Sequence, residues 1–215
     1  MSDALSVLAY GDRALLVELG EAQRVLRYVD ALRDADLDCI ADLVPAAETV
    51  LVIATERASV ETLRDRLREV SPDPDPDPPT VSAPRDEEDA IEVPVRYDGP
   101  DLGDVARHTG LSEDEVVAAH TGQTWRVGFG GFAPGFGYLL GDDRRLEVPR
   151  RDSARTSVPA GAVGLAGEYT GVYPRESPGG WQLIGTTDAV MWDLQRDPPA
   201  LLRPGAAVRF VRVDR

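Results

Sequence analysis

The chain has 215 residues, enough for one large domain or two small ones, and its formal net charge is −15 because 38 acidic residues outnumber 23 basic ones. All the basic residues are arginine, so the sequence contains no lysine. This excludes a P-loop, whose lysine contacts the β- and γ-phosphates, and any lysine Schiff base. So acidic a surface repels a phosphate backbone, and we therefore expect no nucleic-acid partner.

Cysteine content and hydropathy indicate where the protein resides. The single cysteine, Cys39, excludes internal disulfides and a cysteine-rich zinc site. No apolar run is long enough to cross a bilayer and no signal peptide is visible, so we predict a cytoplasmic protein without membrane contact. The acidic excess reflects either adaptation to a salty cytoplasm or a GC-rich genome. We favour the halophilic explanation, which predicts loss of structure at low salt.

A stretch of alternating proline and aspartate, residues 71–79 (SPDPDPDPP), divides the chain. Such a stretch should be extended and solvated, and the acidic character continues to Asp89. We predict a small α/β domain over residues 1–70, an acidic linker over residues 71–89 and a second domain over residues 90–215. Most of the 20 glycines, and all tryptophans and phenylalanines, lie in the second domain.

Apolar periodicity in residues 1–70 predicts the order β-β-α-β-β-α. The predicted strands are Ala4–Ala9, Ala14–Leu19, Asp38–Val44 and Thr49–Ala54. Apolar residues at helical spacing predict one helix from Ala22 to Leu32 and a second from Val60 to Val70, with Ser59 as its N-cap. This order predicts a small antiparallel sheet with two helices on one face.

The second domain begins with mixed elements and then becomes rich in β-structure. The predicted elements are a strand over Ile91–Arg96, a helix over Leu102–His108, a helix opened by the capping box at Ser112, and a strand over Thr124–Phe129. Short apolar runs separated by glycine and proline follow. They predict a turn-rich β-fold with at most one further short helix, near Val190–Leu194.

Three segments of the second domain could carry chemistry. The glycine-rich segment Gly128–Tyr138 lets the backbone approach a ligand, and its aromatic residues could form either a pocket wall or core. Five arginines between Arg144 and Arg155 could bind carboxylate or phosphate, although we expect most of them to pair with nearby acidic residues. A second glycine-rich segment, residues 158–186, could be a binding cleft or a sheet edge.

Only two histidines are present, and His120 is the one that precedes the glycine-rich strand. It could act as a general acid or base or orient an anion, although a lone histidine is more often structural. Two histidines and one distant cysteine do not supply the ligands of a transition-metal site, so we predict none.

Four motifs follow one another in the second domain. They are Gly131–Leu139 (GFAPGFGYL), Val158–Gly161 (VPAG), Thr170–Pro174 (TGVYP) and Ser177–Gly185 (SPGGWQLIG). Taken together, they resemble the family of 5-oxoprolinase B subunits, which is also described as KipI-like or as allophanate hydrolase subunit 1. The resemblance implies a two-domain α+β protein, with a small ferredoxin-like α/β N-terminal domain and a cyclophilin-like β-barrel C-terminal domain.

The resemblance also implies a function. The chain would be one subunit of an ATP-dependent 5-oxoprolinase that works with subunits A and C and is inactive alone. The complex would open 5-oxo-L-proline to L-glutamate while hydrolysing ATP, with Mg²⁺ accompanying the nucleotide and no tightly bound cofactor. A five-membered lactam is a stable amide, so activation of its carbonyl oxygen, for example by phosphorylation, would assist ring opening.

Residue roles within that resemblance are hypotheses. We assign His120 as a proton shuttle or phosphate ligand and Arg150 as the catalytic cation. The candidates for binding substrate or nucleotide are Gly135, Phe136, Tyr138, Arg155, Pro159, Gly161, Thr170, Tyr173 and Trp181. Two other functions stay open at this point: a KipI-like inhibitor of a sensor histidine kinase, and a component of urea or allophanate metabolism.

Overall fold

The computed structural model describes residues 5–72 and 90–214, which divide into two compact units, one on each side of the gap. The predicted linker over residues 71–89 lies almost wholly outside the described residues. The boundaries of the three predicted segments therefore stay predictions.

The first unit is a four-stranded antiparallel sheet with two helices. Its elements are β1 (Ser6–Tyr10), β2 (Ala14–Glu18), α1 (Ala22–Asp34), β3 (Ile40–Pro45), β4 (Thr49–Ala54) and α2 (Val60–Glu69). The strand order is β1-β2-β4-β3, and neighbouring strands are antiparallel. This is a ferredoxin-like arrangement in which the strand that usually comes last in the chain comes first. The predicted element order is confirmed.

The core of the first unit lies between the sheet and the helices. Strand β4 alternates buried Val50, Val52 and Ala54 with half-buried residues, which is the period of a sheet with one well-covered face. Helix α2 begins where predicted, because the Ser59 hydroxyl accepts a hydrogen bond from the Thr62 backbone N–H.

The second unit contains nine strands and two helices among the described residues. Its elements are β5 (Ile91–Val95), α3 (Leu102–Thr109), α4 (Glu113–Thr121), β6 (Trp125–Gly130), β7 (Gly137–Leu140), β8 (Arg155–Val158), β9 (Ala162–Ala166), β10 (Tyr169–Val172), β11 (Ser177–Gly179), β12 (Gln182–Thr186) and β13 (Ala207–Arg212). A 3-10 turn spans Arg144–Leu146. The capping box at Ser112 is present, and the strands and helices predicted before residue 130 are confirmed to within about two residues.

Seven of these strands form a nearly closed barrel. Their order is β12-β9-β10-β7-β6-β13-β5, while β8 and β11 form a separate ribbon. The two edges meet at Arg96 and Thr186, whose backbone N–H groups each donate to the other's carbonyl at 2.8 Å. The Arg96 guanidinium donates to both carboxylate oxygens of Asp188 at 2.8 and 3.1 Å, close to this junction. The predicted two-domain α+β fold with a barrel in its second domain is confirmed.

The short helix that the sequence allowed near Val190–Leu194 does not form. The chain forms turns there, and Trp192 makes an isolated antiparallel bridge with Ala200. The Asp193 backbone N–H donates to the Pro199 carbonyl, so these backbone groups pair across a loop rather than along a helix. The adjacent prolines, Pro198 and Pro199, could not have continued a helix. No helix of the described residues is long and apolar enough to cross a membrane.

Candidate functional site

A cleft of about 290 Å³ lies in the second unit, and we call it the arginine cleft. Its lining residues are Asp104, His108, Pro149, Arg150, Arg151, Asp152, Ser153 and Gln182. Asp104 and His108 are one turn apart on α3 and therefore share a face. The segment after the 3-10 turn supplies the two arginines, and β12 supplies Gln182 as its first residue.

A buried carboxylate fixes one arginine of this cleft. Asp101, directly before α3, is only 2% exposed. Its Oδ1 accepts hydrogen bonds from Arg151 Nη1 at 2.6 Å and Arg155 Nη2 at 2.7 Å, and its Oδ2 accepts from the Leu183 backbone N–H at 2.7 Å. Arg155 Nη1 also donates to the Trp181 carbonyl at 3.5 Å. The Asp101 carboxylate carries one negative charge and the two guanidinium groups carry two positive charges. One positive charge of this cluster is therefore uncompensated.

Arg150 has a different environment. Among the described residues it forms no ion pair, whereas Arg144 and Arg145 pair with Glu147 and Asp143. Together with Arg151 and Arg155, four of the five arginines in this segment are therefore paired. Only Arg144 and Arg145 pair with nearby acidic residues as predicted, because Arg151 and Arg155 pair with the distant Asp101. Arg150 is thus the side chain of this segment best placed to accept an anion from outside the chain.

The local charge of the arginine cleft is positive although the chain is acidic. Arg150 and the uncompensated guanidinium beside Asp101 contribute two positive charges, and Asp152 offsets one of them. Asp104 pairs with Arg107 and adds no net charge. The cleft can therefore hold a small anion that the rest of the surface would repel.

The predicted aromatic residues are brought together beside the cleft. The ring centroid of Phe136 lies 5.0 Å from that of Tyr138, 5.4 Å from that of Tyr173 and 5.3 Å from that of Trp181. Tyr138 is half-buried and the other three are buried. They form a packed cluster that is separate from the barrel interior, and none of the four lines the cleft.

Tyr173 connects this aromatic cluster to the arginines. Burial raises the pKa of its hydroxyl, and a hydrogen bond from the Trp181 backbone and the positive charge of Arg150 act in the opposite direction. Tyr173 itself is only 2% exposed.

Two of the predicted glycines have a conformational role. Gly135 has φ +85°, and a Cβ at this position would lie 2.9 Å from Trp192 Cβ. Gly161 has φ +79°, and a Cβ there would lie 2.1 Å from the Thr187 carbonyl oxygen. Only glycine fits such turns without strain. Neither glycine lines the arginine cleft, nor does Pro159, which is exposed in the turn between β8 and β9.

His120 lies in the protein core, where it has no exposed surface. Its Nδ1 is 2.8 Å from the Tyr97 hydroxyl, and its Nε2 is 2.9 Å from Thr170 Oγ1. The Thr170 hydroxyl donates to the Gly164 carbonyl at 3.1 Å. Thr170 must therefore accept a hydrogen bond from Nε2–H, and Nδ1 then accepts one from Tyr97.

These contacts correct the role assigned to His120. Burial lowers its pKa to about 3, so the ring is neutral at neutral pH. The ring centroids of Trp125 and Phe210 lie 5.1 and 4.4 Å from the imidazole, and together with Tyr97 and Thr170 they enclose it. A proton shuttle must reach the reacting atoms, and His120 has no such access. Thr170, equally buried, is also a core residue rather than a ligand contact.

Sequence reasoning missed Asp101, His108 and Gln182. The spacing of Asp104 and His108 on a predicted helix could have indicated their shared face. The partners of Asp101 are 50, 54 and 82 residues away along the chain, which no local pattern reveals. Within the described ranges, no group of three or more His, Cys, Asp or Glu side chains is placed to hold a metal ion.

Comparison with known proteins identifies the family. A family model described as "Carboxyltransferase domain, subdomain C and D" matches residues 5–202. The chain belongs to this family. The predicted resemblance to the B subunit of 5-oxoprolinase is confirmed, because the protein so named from Escherichia coli O157:H7 is 54% identical over 124 residues. That match covers 56% of this chain and 57% of the relative, so the chain spans little more than half of the relative's length.

Solved structures of longer chains contain a similar fold. The structure of TTHA0988 has a TM-score of 0.71 and 36% identity, and the match covers 94% of this chain and 40% of that one. Urea carboxylase from Kluyveromyces lactis has a TM-score of 0.63 at 21% identity, and the match covers 22% of that chain. Because its sequence identity is only 21%, this second match shows a similar fold and nothing more.

Proposed function

We propose that this chain is a subunit of a cytoplasmic, ATP-dependent 5-oxoprolinase, which opens 5-oxo-L-proline to L-glutamate while it hydrolyses ATP. The observation that carries the proposal is the 54% identity to the B subunit of a 5-oxoprolinase over 124 residues. The relative's name as a subunit supports the presence of partner chains, which we take to be subunits A and C.

The arginine cleft suits the chemistry of this reaction. The substrate carries a carboxylate and ATP carries phosphates, and a guanidinium group binds either through paired hydrogen bonds. We assign this role to Arg150, because it is the arginine of this segment that forms no ion pair among the described residues. Arg155 positions the cleft through Asp101, and the packed ring of Tyr173 supports it.

Other catalytic groups are assigned to the companion subunits. With His120 in the core, the titratable side chains at the arginine cleft are His108, Asp104 and Asp152, besides its arginines. We propose that the partners bind ATP with its Mg²⁺ and complete the site, so that the chain alone has no turnover.

Reconstitution tests this function. The chain is mixed with the two companion subunits at high salt, and the release of ADP and glutamate is measured with 5-oxo-L-proline as substrate. We expect equal amounts of the two products from the complete mixture and neither product when this chain is omitted. Urea is the control substrate and should give no ADP. A complete complex that releases no glutamate would contradict the proposal.

A further inference from the structure

Two buried polar atoms of the arginine cleft have no hydrogen-bond partner. Gln182 is 4% exposed; its Nε2 donates to the Pro149 carbonyl at 3.2 Å, but its Oε1 is unpaired. Arg151 donates to Asp101 through Nη1, and its backbone N–H donates to the Gly180 carbonyl at 2.8 Å, but its Nε is unpaired. Both side chains line the cleft.

Such atoms are uncommon and costly. An unpaired buried donor or acceptor destabilises the folded protein, and most buried polar groups in native proteins are paired. The two atoms at this cleft are complementary, because Gln182 Oε1 accepts a hydrogen bond and Arg151 Nε–H donates one. A ligand that pairs with both must present a donor and an acceptor on one edge.

A cyclic amide has this edge. In a small lactam ring the amide is cis, so its N–H and C=O point to the same side, whereas an ordinary trans amide points them in opposite directions. The ring N–H can donate to Gln182 Oε1 while the carbonyl oxygen accepts from Arg151 Nε. Arg150, on the same cleft and without an ion pair among the described residues, offers a guanidinium to a carboxylate.

We propose that the arginine cleft binds a lactam that carries a carboxylate, with Gln182 and Arg151 contacting the amide edge and Arg150 contacting the carboxylate. This inference rests on the proposed function, because 5-oxo-L-proline belongs to this ligand class. It makes Gln182 the residue that determines specificity. A lactone of the same shape has a ring oxygen in place of N–H, and that oxygen would face Gln182 Oε1 with a lone pair.

The test compares two ligands on the full chain at high salt, with binding followed by NMR titration. The ligands are L-5-oxoproline and its lactone analogue, 5-oxotetrahydrofuran-2-carboxylate. We expect the lactam to bind about tenfold more tightly than the lactone to the wild-type chain, because one hydrogen bond is lost and a repulsion is gained. Gln182→Met keeps the side-chain size and should remove this preference, whereas the exposed control Gln195→Met should retain it.

The outcomes separate this inference from the proposed function. Equal binding of lactam and lactone to the wild-type chain overturns the inference, and so does an unchanged preference in Gln182→Met. Absence of lactam binding to the wild-type chain overturns it too, because all three contacts lie within this chain. A reconstituted complex that makes no glutamate refutes the proposed function but leaves a measured lactam preference intact. An active complex whose chain shows no preference refutes the inference alone.

Discussion

Arg150 and Arg151 are adjacent in sequence, but only Arg151 forms an ion pair with another described residue. Arg151 donates to buried Asp101 at 2.6 Å, whereas Arg150 forms no ion pair among the described residues. A paired guanidinium positions its surroundings, and an unpaired one can exchange solvent for a ligand. Arg150 is therefore the guanidinium of the arginine cleft that can bind the carboxylate of a ligand.

Removing the unpaired cation should weaken substrate binding without unfolding the protein. In the reconstituted complex we expect Arg150→Gln to raise the KM for 5-oxo-L-proline by at least about tenfold, since a hydrogen bond to a charged group contributes about 1.5–3 kcal/mol. The free energy of unfolding should change by no more than about 0.5 kcal/mol, because the residue is exposed. Arg144→Gln, which removes an exposed arginine outside the cleft, is the control and should keep the wild-type KM. A wild-type KM for Arg150→Gln would remove the assignment.

Buried His120 should make stability depend on pH. Its pKa is about 3 in the folded protein and about 6.5 in the unfolded chain, so below pH 6.5 only the unfolded chain takes up the proton. The free energy of unfolding should therefore fall as the pH decreases from 6.5 towards 3. We expect a loss of about 1 kcal/mol between pH 7.5 and 5.5, measured by denaturant titration of tryptophan fluorescence. All three tryptophans lie in the second unit and report on it.

Two variants show whether His120 is the cause. His120→Gln should be less stable at every pH, but its stability should change little between pH 7.5 and 5.5. His108→Gln replaces the exposed histidine and should retain the wild-type decrease. An equal decrease in wild type and His120→Gln would show that another group is responsible.

At the scale of elements, Asp101 joins α3, β12 and the segment that carries the arginines. We expect Asp101→Asn to destabilise the second unit by about 3 kcal/mol, because two partly buried guanidinium groups lose their counter-charge. Asp104→Asn breaks only an exposed ion pair with Arg107 and should cost less than about 1 kcal/mol. Denaturant titration of both variants measures the difference. Equal effects would contradict the role given to Asp101.

The same elements show how far the sequence could predict the structure. The caps at Ser59 and Ser112 depend on contacts three residues away, and both were predicted from their local pattern. The burial of His120 could not be predicted, because the local sequence around a histidine at the end of a short helix is the same whether the side chain faces solvent or the core. Its burial is decided by Phe210, which is far away in sequence and packs against the ring.

The candidate site was predictable only in part. The motifs placed aromatic residues and arginines in one region, and the structure does assemble Phe136, Tyr173 and Trp181. Sequence could not show that these rings pack against one another instead of lining the cleft. Nor could it show which arginine is unpaired, because Asp101 reaches Arg151 across 50 residues.

At the scale of the whole molecule, the net charge of −15 dominates. Repulsion between like charges opposes the compact state and is screened by salt, so the thermal unfolding midpoint should rise as KCl increases from about 0.1 M to 2 M. Circular dichroism across this series measures the effect. A midpoint that does not change with salt would contradict the halophilic prediction and favour codon usage as the origin of the arginines.

A crystal structure of the chain with L-5-oxoproline tests the account most directly. It should show the ligand in the arginine cleft, with its carboxylate in hydrogen-bond contact with Arg150 and its amide edge in contact with Gln182 and Arg151. Ligand bound elsewhere on the chain, or bound in the cleft with its carboxylate away from Arg150, would contradict the account.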